Sequence, residues 1–200
     1  QHIKRERASS NICTASALMA SMVGFYCVYN GPEGLRRAAE TAHLAAATVA
    51  RALEAMDYRL ASKEFFDTLE VEAEAAVVQS LALEQGINFY YPSEGSVRMS
   101  FDEVTTAAEI ETVVSIFAAA KGKKAKAVKA VTESCVPTAL RRQSPYLQEP
   151  VFNAYRSESA LMRYIKKLEL RDISLANSMI SLGSCTMKLN AAALMQPLSL

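Results

Sequence analysis

The hydrophobic pattern changes its period along this chain, and that change limits the folds the chain can form. Residues 14–56 repeat apolar side chains at helical spacing, whereas residues 65–120 mix short alternating runs with helical ones. The order of patterns in the second stretch predicts a β-α-β-β-α arrangement. The sequence therefore predicts an α+β fold, with helices on one face of a small antiparallel sheet.

Two helices are predicted in the first stretch. Thr14 is a suitable N-cap for a helix over residues 14–29, which Asn30-Gly31-Pro32 then ends. Gly tolerates the left-handed conformation after a helix, and Pro can begin the next helix but cannot continue the previous one. The second helix covers residues 32–56, and its apolar stripe recurs every seven residues at Leu35, Ala42, Val49 and Met56. This stripe is rich in small residues, so we expect close packing on a neighbour.

The small α+β layer is predicted within residues 63–131. In the second arm of its hairpin, Val97 and Met99 alternate with polar residues and face one side. Thr106 and Glu109 have the spacing of a capping box, which predicts the start of a helix. The predicted elements are a strand (67–72), a helix (74–85), a hairpin (87–101) and a helix that begins at 106.

A connector and a further helix are predicted after this layer. Residues 136–156 contain three prolines and show no helical or strand period, which indicates a connector. Residues 157–170 regain helical spacing, with Leu161, Ile165 and Leu168 on one face.

Composition and charge exclude several classes of protein. Half of the 200 residues are hydrophobic, which is incompatible with a disordered chain. Lys and Arg number 22 against 21 Asp and Glu, so the net charge of +1 argues against a protein that wraps nucleic acid. No apolar run approaches the roughly 18–20 residues needed to span a bilayer. We therefore expect neither a nucleic-acid partner nor a membrane span.

The cysteines and histidines do not have the spacing of a metal site. The chain has 4 Cys and 2 His, and no two cysteines form a C-x-x-C pair, so we expect no metal. The wide spacing predicts reduced thiols in an intracellular compartment. His43 lies beside the small-residue stripe, where a packed or surface histidine is commoner than a ligand. The cysteines are Cys13, Cys27, Cys135 and Cys185.

Three polar segments have side chains suited to binding a ligand, and each also has a purely structural interpretation. Residues 121–131 hold five lysines, which can contact phosphate; a solvated helix end or linker is the alternative, favoured because no aromatic residue is interleaved. Residues 9–14 and 183–186 combine hydroxyl, thiol and amide groups with a turn. Such turns bind anions through backbone N–H groups, or they serve as N-caps.

Several segments have a specific order of residues that goes beyond helical or strand patterning. The most specific is Ser178-Met179-Ile180-Ser181-Leu182-Gly183-Ser184-Cys185-Thr186-Met187-Lys188-Leu189-Asn190, and the others are residues 1–15, 29–35, 66–69, 86–88 and 157–169. In this order along the chain, they resemble the P-protein family of the glycine cleavage system, glycine dehydrogenase (decarboxylating).

The chain departs from the family pattern at a few positions. Asn30 and Arg156 stand where the family usually has His, and Ser181 stands where it usually has Pro. The family's Asp-Glu-Thr-Thr is similar to Asp102-Glu103-Val104-Thr105 here. These changes bear on local binding geometry around Arg156 and Ser181 rather than on the fold.

The resemblance implies a fragment of a fold-type I, aminotransferase-like enzyme that uses pyridoxal phosphate. By this resemblance, residues 1–135 are the end of the first of two homologous halves, with helices in 14–56 and the small α+β domain in 63–131. Residues 136–200 are then the connector and the start of the catalytic half. The chain does not begin with Met, which agrees with the expectation of a piece cut from a longer protein.

The family's chemistry is implied in the same way. Pyridoxal phosphate bound to a lysine promotes loss of CO₂ from glycine, and the aminomethyl group passes to the lipoyl arm of H-protein. That lysine lies in a His-Lys-Thr context, which this sequence lacks, so we expect it beyond residue 200 and not at Lys188. No catalytic residue is expected in this span, and the fragment alone is expected to be inactive. Ser184, Cys185 and Thr186 are the expected contacts to substrate or cofactor.

The resemblance also implies partners and a compartment. Glycine and lipoylated H-protein are the expected partners, in a homodimer or an assembly of two halves. The bacterial cytosol and the mitochondrial matrix are both open as locations. A different class of function is kept as an alternative, a non-catalytic interaction or dimerisation module related to this family.

Overall fold

The structure, a computed structural model, describes residues 14–125, 127–171, 177 and 179. Contacts within the chain divide it into two compact units. One, the terminal unit, contains residues up to Gly31 and from Leu147 onward, and the other, the central unit, contains Pro32–Tyr146.

The first helical element, α1 (Thr14–Glu54), is interrupted at Gly31. Gly31 has φ 60° and ψ −176°, and Pro32 follows it directly, so the element consists of two helical stretches, 14–30 and 32–54. A positive φ costs glycine little because it lacks a Cβ, and proline is well suited to the first turn of the second stretch. The predicted boundary at Asn30-Gly31-Pro32 is confirmed.

The terminal unit adds two helices to the stretch 14–30. These are α4 (Val151–Ala154) and α5 (Glu158–Glu169). Ser157 caps α5, because its side-chain oxygen accepts the backbone N–H of Ala160 at 3.3 Å. The helix predicted over 157–170 is therefore present. The one-turn helix α4 was not predicted, since four residues are too few to show a period.

The central unit contains a four-stranded sheet in the order β1-β2-β4-β3, and every neighbouring pair is antiparallel. Its strands are β1 (Arg59–Leu60), β2 (Thr68–Glu72), β3 (Tyr90–Ser93) and β4 (Ser96–Ser100). Its helices, besides 32–54 of α1, are α2 (Ala75–Glu84) and α3 (Ala107–Ala120). The predicted β-α-β-β-α order is present. The two-residue β1 and a 3₁₀ turn, Thr138–Leu140, were not predicted.

One face of this sheet forms the core. In the register of β2 and β4, Val71 lies opposite Val97 and Leu69 opposite Met99, and all four side chains are buried. They belong to one cluster with residues of the helices, including the fully buried Leu53 and Phe117. Burying a side chain of this size contributes about 1.5–3 kcal/mol.

The other residues of these two strands are polar. Glu70 lies opposite Arg98, and its Oε2 accepts the Arg98 Nη2 donor at 2.6 Å. Thr68 and Ser100 are within 2.8 Å through their hydroxyls. The alternation predicted from the sequence thus separates an apolar face from a polar one.

Helix α3 begins as predicted. The Thr106 side chain accepts the backbone N–H of Glu109 at 3.3 Å, while Glu109 Oε2 accepts the backbone N–H of Thr106 at 2.7 Å. These reciprocal bonds form the capping box and satisfy two donors that the helix itself cannot pair. They also hold the pKa of Glu109 below its usual value, chiefly through the backbone bond to Thr106.

Candidate functional site

The residues that the family resemblance assigned to substrate or cofactor lie outside the described part of the chain. This applies to Ser184, Cys185 and Thr186, and also to the polar segment 9–13. Their roles therefore stay predictions. What the structure does describe is three local arrangements of polar groups: the contact of Gly31 with Arg156, the surroundings of His43, and a cluster of cations after α3.

The contact at Gly31 brings two family-like segments together in the terminal unit. The guanidinium of Arg156 lies against Gly31, so closely that a Cβ at this position would collide with it and would lie 2.6 Å from the carbonyl oxygen of Phe152. Arg156 Nη2 donates to Asn153 Oδ1 at 2.7 Å and to Phe152 O at 3.4 Å. Gly31 is therefore required twice, for its positive φ and for this close approach.

Two of the sequence's departures from the family pattern are neighbours here. Asn30 is adjacent to Gly31 in the chain, and Arg156 packs on Gly31. The Asn30 side chain donates to the Tyr26 carbonyl at 3.0 Å, which satisfies one of the acceptors at the end of the helical stretch 14–30. The sequence alone did not show that these two positions meet.

An apolar cavity of about 360 Å³ lies beside this contact in the terminal unit. Its lining comes from the helical stretch 14–30 and from α4 and α5, and it includes Phe25, Val28, Phe152 and Leu168. Tyr164 lines it as well and stacks on Tyr155, with the ring centroids 4.2 Å apart. The cavity has no charged lining residue among those described, so it can accommodate apolar groups rather than an ion.

His43 is the most deeply buried ionisable side chain in the described part of the central unit, with 2% of its surface exposed. Its Nδ1 donates to the Phe66 carbonyl at 2.8 Å, and its Nε2 accepts the backbone N–H of Cys135 at 3.1 Å. The ring also stacks on Phe66 with centroids 5.4 Å apart. Because a carbonyl can only accept, these partners define the neutral tautomer that carries its proton on Nδ1. Of the two positions expected from the sequence, packed or at the surface, the structure shows the packed one.

Cys135 places its sulfur 3.4 Å from the same Nε2 atom. A thiol beside an imidazole resembles a nucleophile with its base, and the sequence reasoning missed this pair because 92 residues separate the two positions. The Nε2 lone pair, however, already accepts the Cys135 backbone N–H. The opposite nitrogen meets a carbonyl rather than a carboxylate. The geometry is that of a structural tie and not of a catalytic pair.

A second buried side chain, Thr48, also links α1 to the segment before Cys135. The Thr48 hydroxyl donates to the Leu44 carbonyl at 2.7 Å and accepts the backbone N–H of Val131 at 3.0 Å. Thr48 and His43 both lie in the second helical stretch of α1, and both are buried. Together they hold residues 131–135, a segment without regular structure, through two of its own backbone donors.

Two lysines of the tract after α3, Lys121 and Lys123, contact residues that follow α1. Lys121 Nζ donates to the carbonyls of Met56 and Asp57 at 2.8 and 2.7 Å, and it lies 4.0 Å from the centre of the Tyr58 ring. Lys123 pairs with the Asp57 carboxylate at 3.2 Å. Burial raises the pKa of Tyr58, whose hydroxyl donates to Phe117 O at 2.8 Å. Lys121 therefore binds the carbonyl groups that follow α1. This part of the tract is packed against the protein, whereas the sequence had suggested a phosphate contact or a solvated helix end or linker.

Among residues 14–125, 127–171, 177 and 179, no group of three or more His, Cys, Asp or Glu side chains is placed to hold a metal ion. Within the same ranges, none of the helices has the length and apolar character to cross a bilayer.

Known proteins resemble this chain, whose described part combines helices with a small antiparallel sheet. A family model described as "Glycine cleavage system P-protein" matches residues 1–117, more than half of the chain. The chain belongs to the glycine cleavage system P-protein family.

Curated relatives match the whole chain. "Glycine dehydrogenase (decarboxylating)" of Flavobacterium johnsoniae is 51% identical over 201 residues, which take in 100% of this chain and 21% of the relative. The proteins of the same name from Christiangramia forsetii and Thermosynechococcus vestitus are each 46% identical, again over 100% of this chain and over 21% and 20% of their own lengths. The chain thus spans about a fifth of the length of these relatives.

A solved structure also matches. It is described as glycine decarboxylase (P-protein) of the glycine cleavage system in inhibitor-bound form. Its sequence is 26% identical, the match covers 60% of this chain and 30% of that one, and the TM-score is 0.49.

Proposed function

We propose that this chain is a segment of a glycine decarboxylase of the glycine cleavage system. In the complete enzyme, glycine loses its carboxyl group as CO₂ and the aminomethyl group passes to the lipoyl arm of H-protein. The observation that carries the proposal is identity of 46–51% over the whole chain to glycine dehydrogenases (decarboxylating), together with the P-protein family match.

The proposed layout follows the family. Residues 1–135 are the end of the first aminotransferase-like half, and residues 136–200 are the connector and the start of the catalytic half. The described β-α-β-β-α layer is the small domain in this proposal. Pyridoxal phosphate, when bound in the complete enzyme, supplies an electron sink for decarboxylation.

The residues of this chain proposed to contact substrate or cofactor are Ser184, Cys185 and Thr186. Hydroxyl groups in a turn can donate to a carboxylate or a phosphate, while the thiol of Cys185 is a weak donor. The lysine that carries the cofactor is proposed to lie outside these 200 residues, so the chain by itself does not decarboxylate glycine. Glycine and lipoylated H-protein are the proposed partners, in a homodimer or two-half assembly, in bacterial cytosol or mitochondrial matrix.

Borohydride reduction of the natural polypeptide tests the proposal. Reduction fixes pyridoxal phosphate to its lysine, and intact mass with peptide mapping then locates the modified residue. We expect a chain about five times longer than 200 residues, in proportion to its relatives, with the modified lysine outside this segment. A polypeptide without any pyridoxyl-lysine would contradict the proposal.

The site residues are tested separately in the full-length enzyme. Ser184→Ala and Thr186→Val each remove one hydroxyl donor, and we expect weaker glycine binding or lower cofactor content, by about tenfold to a hundredfold for a lost hydrogen bond to a charged group. Ser144→Ala is the matched control, since its side chain is exposed in the connector. Unchanged glycine affinity and cofactor content in both variants would remove these residues from the site.

The alternative of a non-catalytic interaction module is favoured by one observation. The helical stretch 14–30 exposes Leu18, Met19, Met22 and Val23, each by more than half of its surface. An apolar face of this kind marks a surface that another element covers. A natural chain that ends at Leu200 and carries no cofactor would select this alternative over the enzyme.

A further inference from the structure

The central unit contains a cavity that the proposed function does not use. It lies where the end of α1 meets α3 and the lysine tract, and its volume is about 550 Å³. Its accessible apolar lining comes from Ala55, Ala127 and Val128, above the buried Met56 and Val114. Its charged lining residues are Arg51, Lys123, Lys124 and Lys129. Of the described residues that line this cavity, none is acidic.

The described cations of the tract and of the cavity lining divide into two sets. Lys121 and Lys123 are committed to the end of α1, through the carbonyls of Met56 and Asp57 and through the Asp57 carboxylate. Their charge is therefore already opposed by a helix C-terminus and a carboxylate.

The second set consists of Arg51, Lys124 and Lys129. Within the described part of the chain these three side chains form no ion pair, and all three residues are exposed. Three like charges around one concave surface repel each other, and an anion placed among them would relieve that repulsion. The packing role of Lys121 and Lys123 therefore does not account for Lys124 and Lys129.

The apolar lining restricts the kind of anion that can fill this cavity. Inorganic phosphate would satisfy the cations and leave the exposed apolar surfaces of Ala55, Ala127 and Val128 in contact with water. A molecule that carries an apolar body behind one anionic group would satisfy both surfaces, because burying apolar area contributes about 25 cal/mol per Å². The volume lies within the usual range of small-molecule sites.

We propose that this cavity binds an organic anion with an apolar body, a carboxylate or phosphate whose charged group lies between Lys124 and Lys129. The alkyl or aryl part contacts Ala55, Ala127 and Val128. This inference goes beyond the proposed function, which assigns substrate and cofactor contacts to residues 184–186 and nothing to this cavity. It does not depend on whether those assignments are correct.

Calorimetric titration of the full-length protein with sodium octanoate tests the proposal, with octylammonium and inorganic phosphate as comparison ligands. We expect one saturable octanoate site per chain that weakens as salt is added, little or no binding of octylammonium, and weaker binding of phosphate alone. Absence of saturable octanoate binding, or equal binding of octanoate and phosphate, would overturn the proposal.

Variants locate the site. Lys124→Gln with Lys129→Gln is expected to weaken octanoate binding about tenfold, from two partly exposed charge interactions. Ala55→Phe fills the cavity from its lining and is expected to abolish binding. Lys63→Gln, at an exposed lysine of the same unit, is the control and should bind as the wild type does. Octanoate affinity that is the same in all these variants would place the anion elsewhere and refute the inference.

Cofactor content is measured alongside in each variant. It should stay unchanged, because the substitutions are on the surface of the central unit. Failure of the proposed enzymatic function would appear as absent pyridoxyl-lysine in the wild type. Failure of this inference would appear as octanoate binding that the cavity variants do not alter, so the two failures are distinguishable.

Discussion

His43 Nε2 lies 3.1 Å from the backbone nitrogen of Cys135, a residue 92 positions later in the chain. The imidazole also donates from Nδ1 to Phe66, so one buried side chain links three separate segments. Its two bonds require opposite roles of the two nitrogens. The tautomer of this histidine is therefore fixed by the fold.

We predict that His43 carries its proton on Nδ1 at neutral pH. A long-range ¹H–¹⁵N correlation experiment distinguishes a protonated nitrogen from an unprotonated one by its shift. The Nε2 resonance should be that of an unprotonated acceptor, and substitution at Thr48 should leave it so. A protonated Nε2 would contradict the hydrogen-bond assignment.

Replacing His43 with Ala should destabilise the chain. The change leaves the Phe66 carbonyl and the Cys135 N–H without their partner and opens a cavity, which together cost about 3 kcal/mol. Thr48→Val removes the acceptor of the Val131 N–H and the hydroxyl bond to the Leu44 carbonyl, a helix carbonyl, and should cost about 1 kcal/mol. Urea denaturation of the two variants measures both values, and an equal loss in the two would show that His43 has no special role.

Gly31 should not tolerate a side chain. Gly31→Ala forces a positive φ on alanine and places its Cβ 2.6 Å from the Phe152 carbonyl, so we expect a loss of about 2–3 kcal/mol in the free energy of unfolding. Gly24→Ala is the matched control, because nothing lies within 4 Å of a Cβ there and alanine favours the helix by about 0.5–1 kcal/mol.

The contribution of Arg156 to the cost of Gly31→Ala can be measured separately from that of the Phe152 carbonyl. In an Arg156→Ala background the guanidinium no longer opposes a Cβ at residue 31, whereas the Phe152 carbonyl still does. Gly31→Ala should therefore cost less there than in the wild type, but not zero. An identical cost in both backgrounds would mean that Arg156 does not restrict this position.

Glu70 should titrate below the usual carboxyl range. The hydrogen bond from Ser96 is the larger cause and the bonds from Arg98 are the next, and both lower the pKa of Glu70 from the usual 4.5. Because the folded pKa is depressed, the stabilisation from Glu70 is present above pH 4.5 and is lost as the pH falls through the folded value.

Carbon-detected NMR titration of the Glu70 carboxylate measures that effect. Ser96→Ala should move its midpoint upward, since it removes the first cause, and Glu70→Gln should flatten the acid limb of the stability profile. Glu109 serves as an internal comparison, as its lowered pKa has a separate cause in Thr106. A Glu70 midpoint that Ser96→Ala does not change would contradict the stated cause.

The helical stretch 14–30 should cause self-association when the 200-residue chain is produced alone. Leu18 and Val23 are about 60% exposed, a level that leaves much apolar area in contact with water. Leu18→Gln with Val23→Gln should reduce concentration-dependent association in sedimentation velocity. Leu140→Gln is the control, because Leu140 is exposed but lies outside this stretch. An equal effect of that change would show that the apolar face of stretch 14–30 does not cause the association.

Much of the local structure was predictable because it depends on neighbouring residues. The alternation of Val97, Met99 and Phe101, the capping box at Thr106 and the break at Gly31 each follow from spacing or from one residue's backbone preference. The strand Arg59–Leu60 was missed because two residues show no period and only pairing with β2 defines them.

The long-range contacts were harder to predict for a different reason. His43 and Cys135, and likewise Gly31 and Arg156, are joined only when distant segments pack, which a single sequence does not encode at any fixed spacing. The segment with the most specific resemblance, residues 178–190, gave Ser184, Cys185 and Thr186, and these roles await the experiments above. The cavity at Lys124 and Lys129 arises from packing against α1 and was visible in the sequence only as a run of lysines.

The two ends of the lysine tract are fixed independently of its middle. At one end Lys121 closes α1 and Gly122, with φ 64°, turns the chain; at the other end Thr48 holds Val131. With both ends anchored, doubling the length of the intervening loop would add only about 0.6 kcal/mol of closure entropy. The number and spacing of the lysines can thus change through insertion or deletion while the domain stays folded, so the ligand preference of this surface can evolve separately from the stability of the fold.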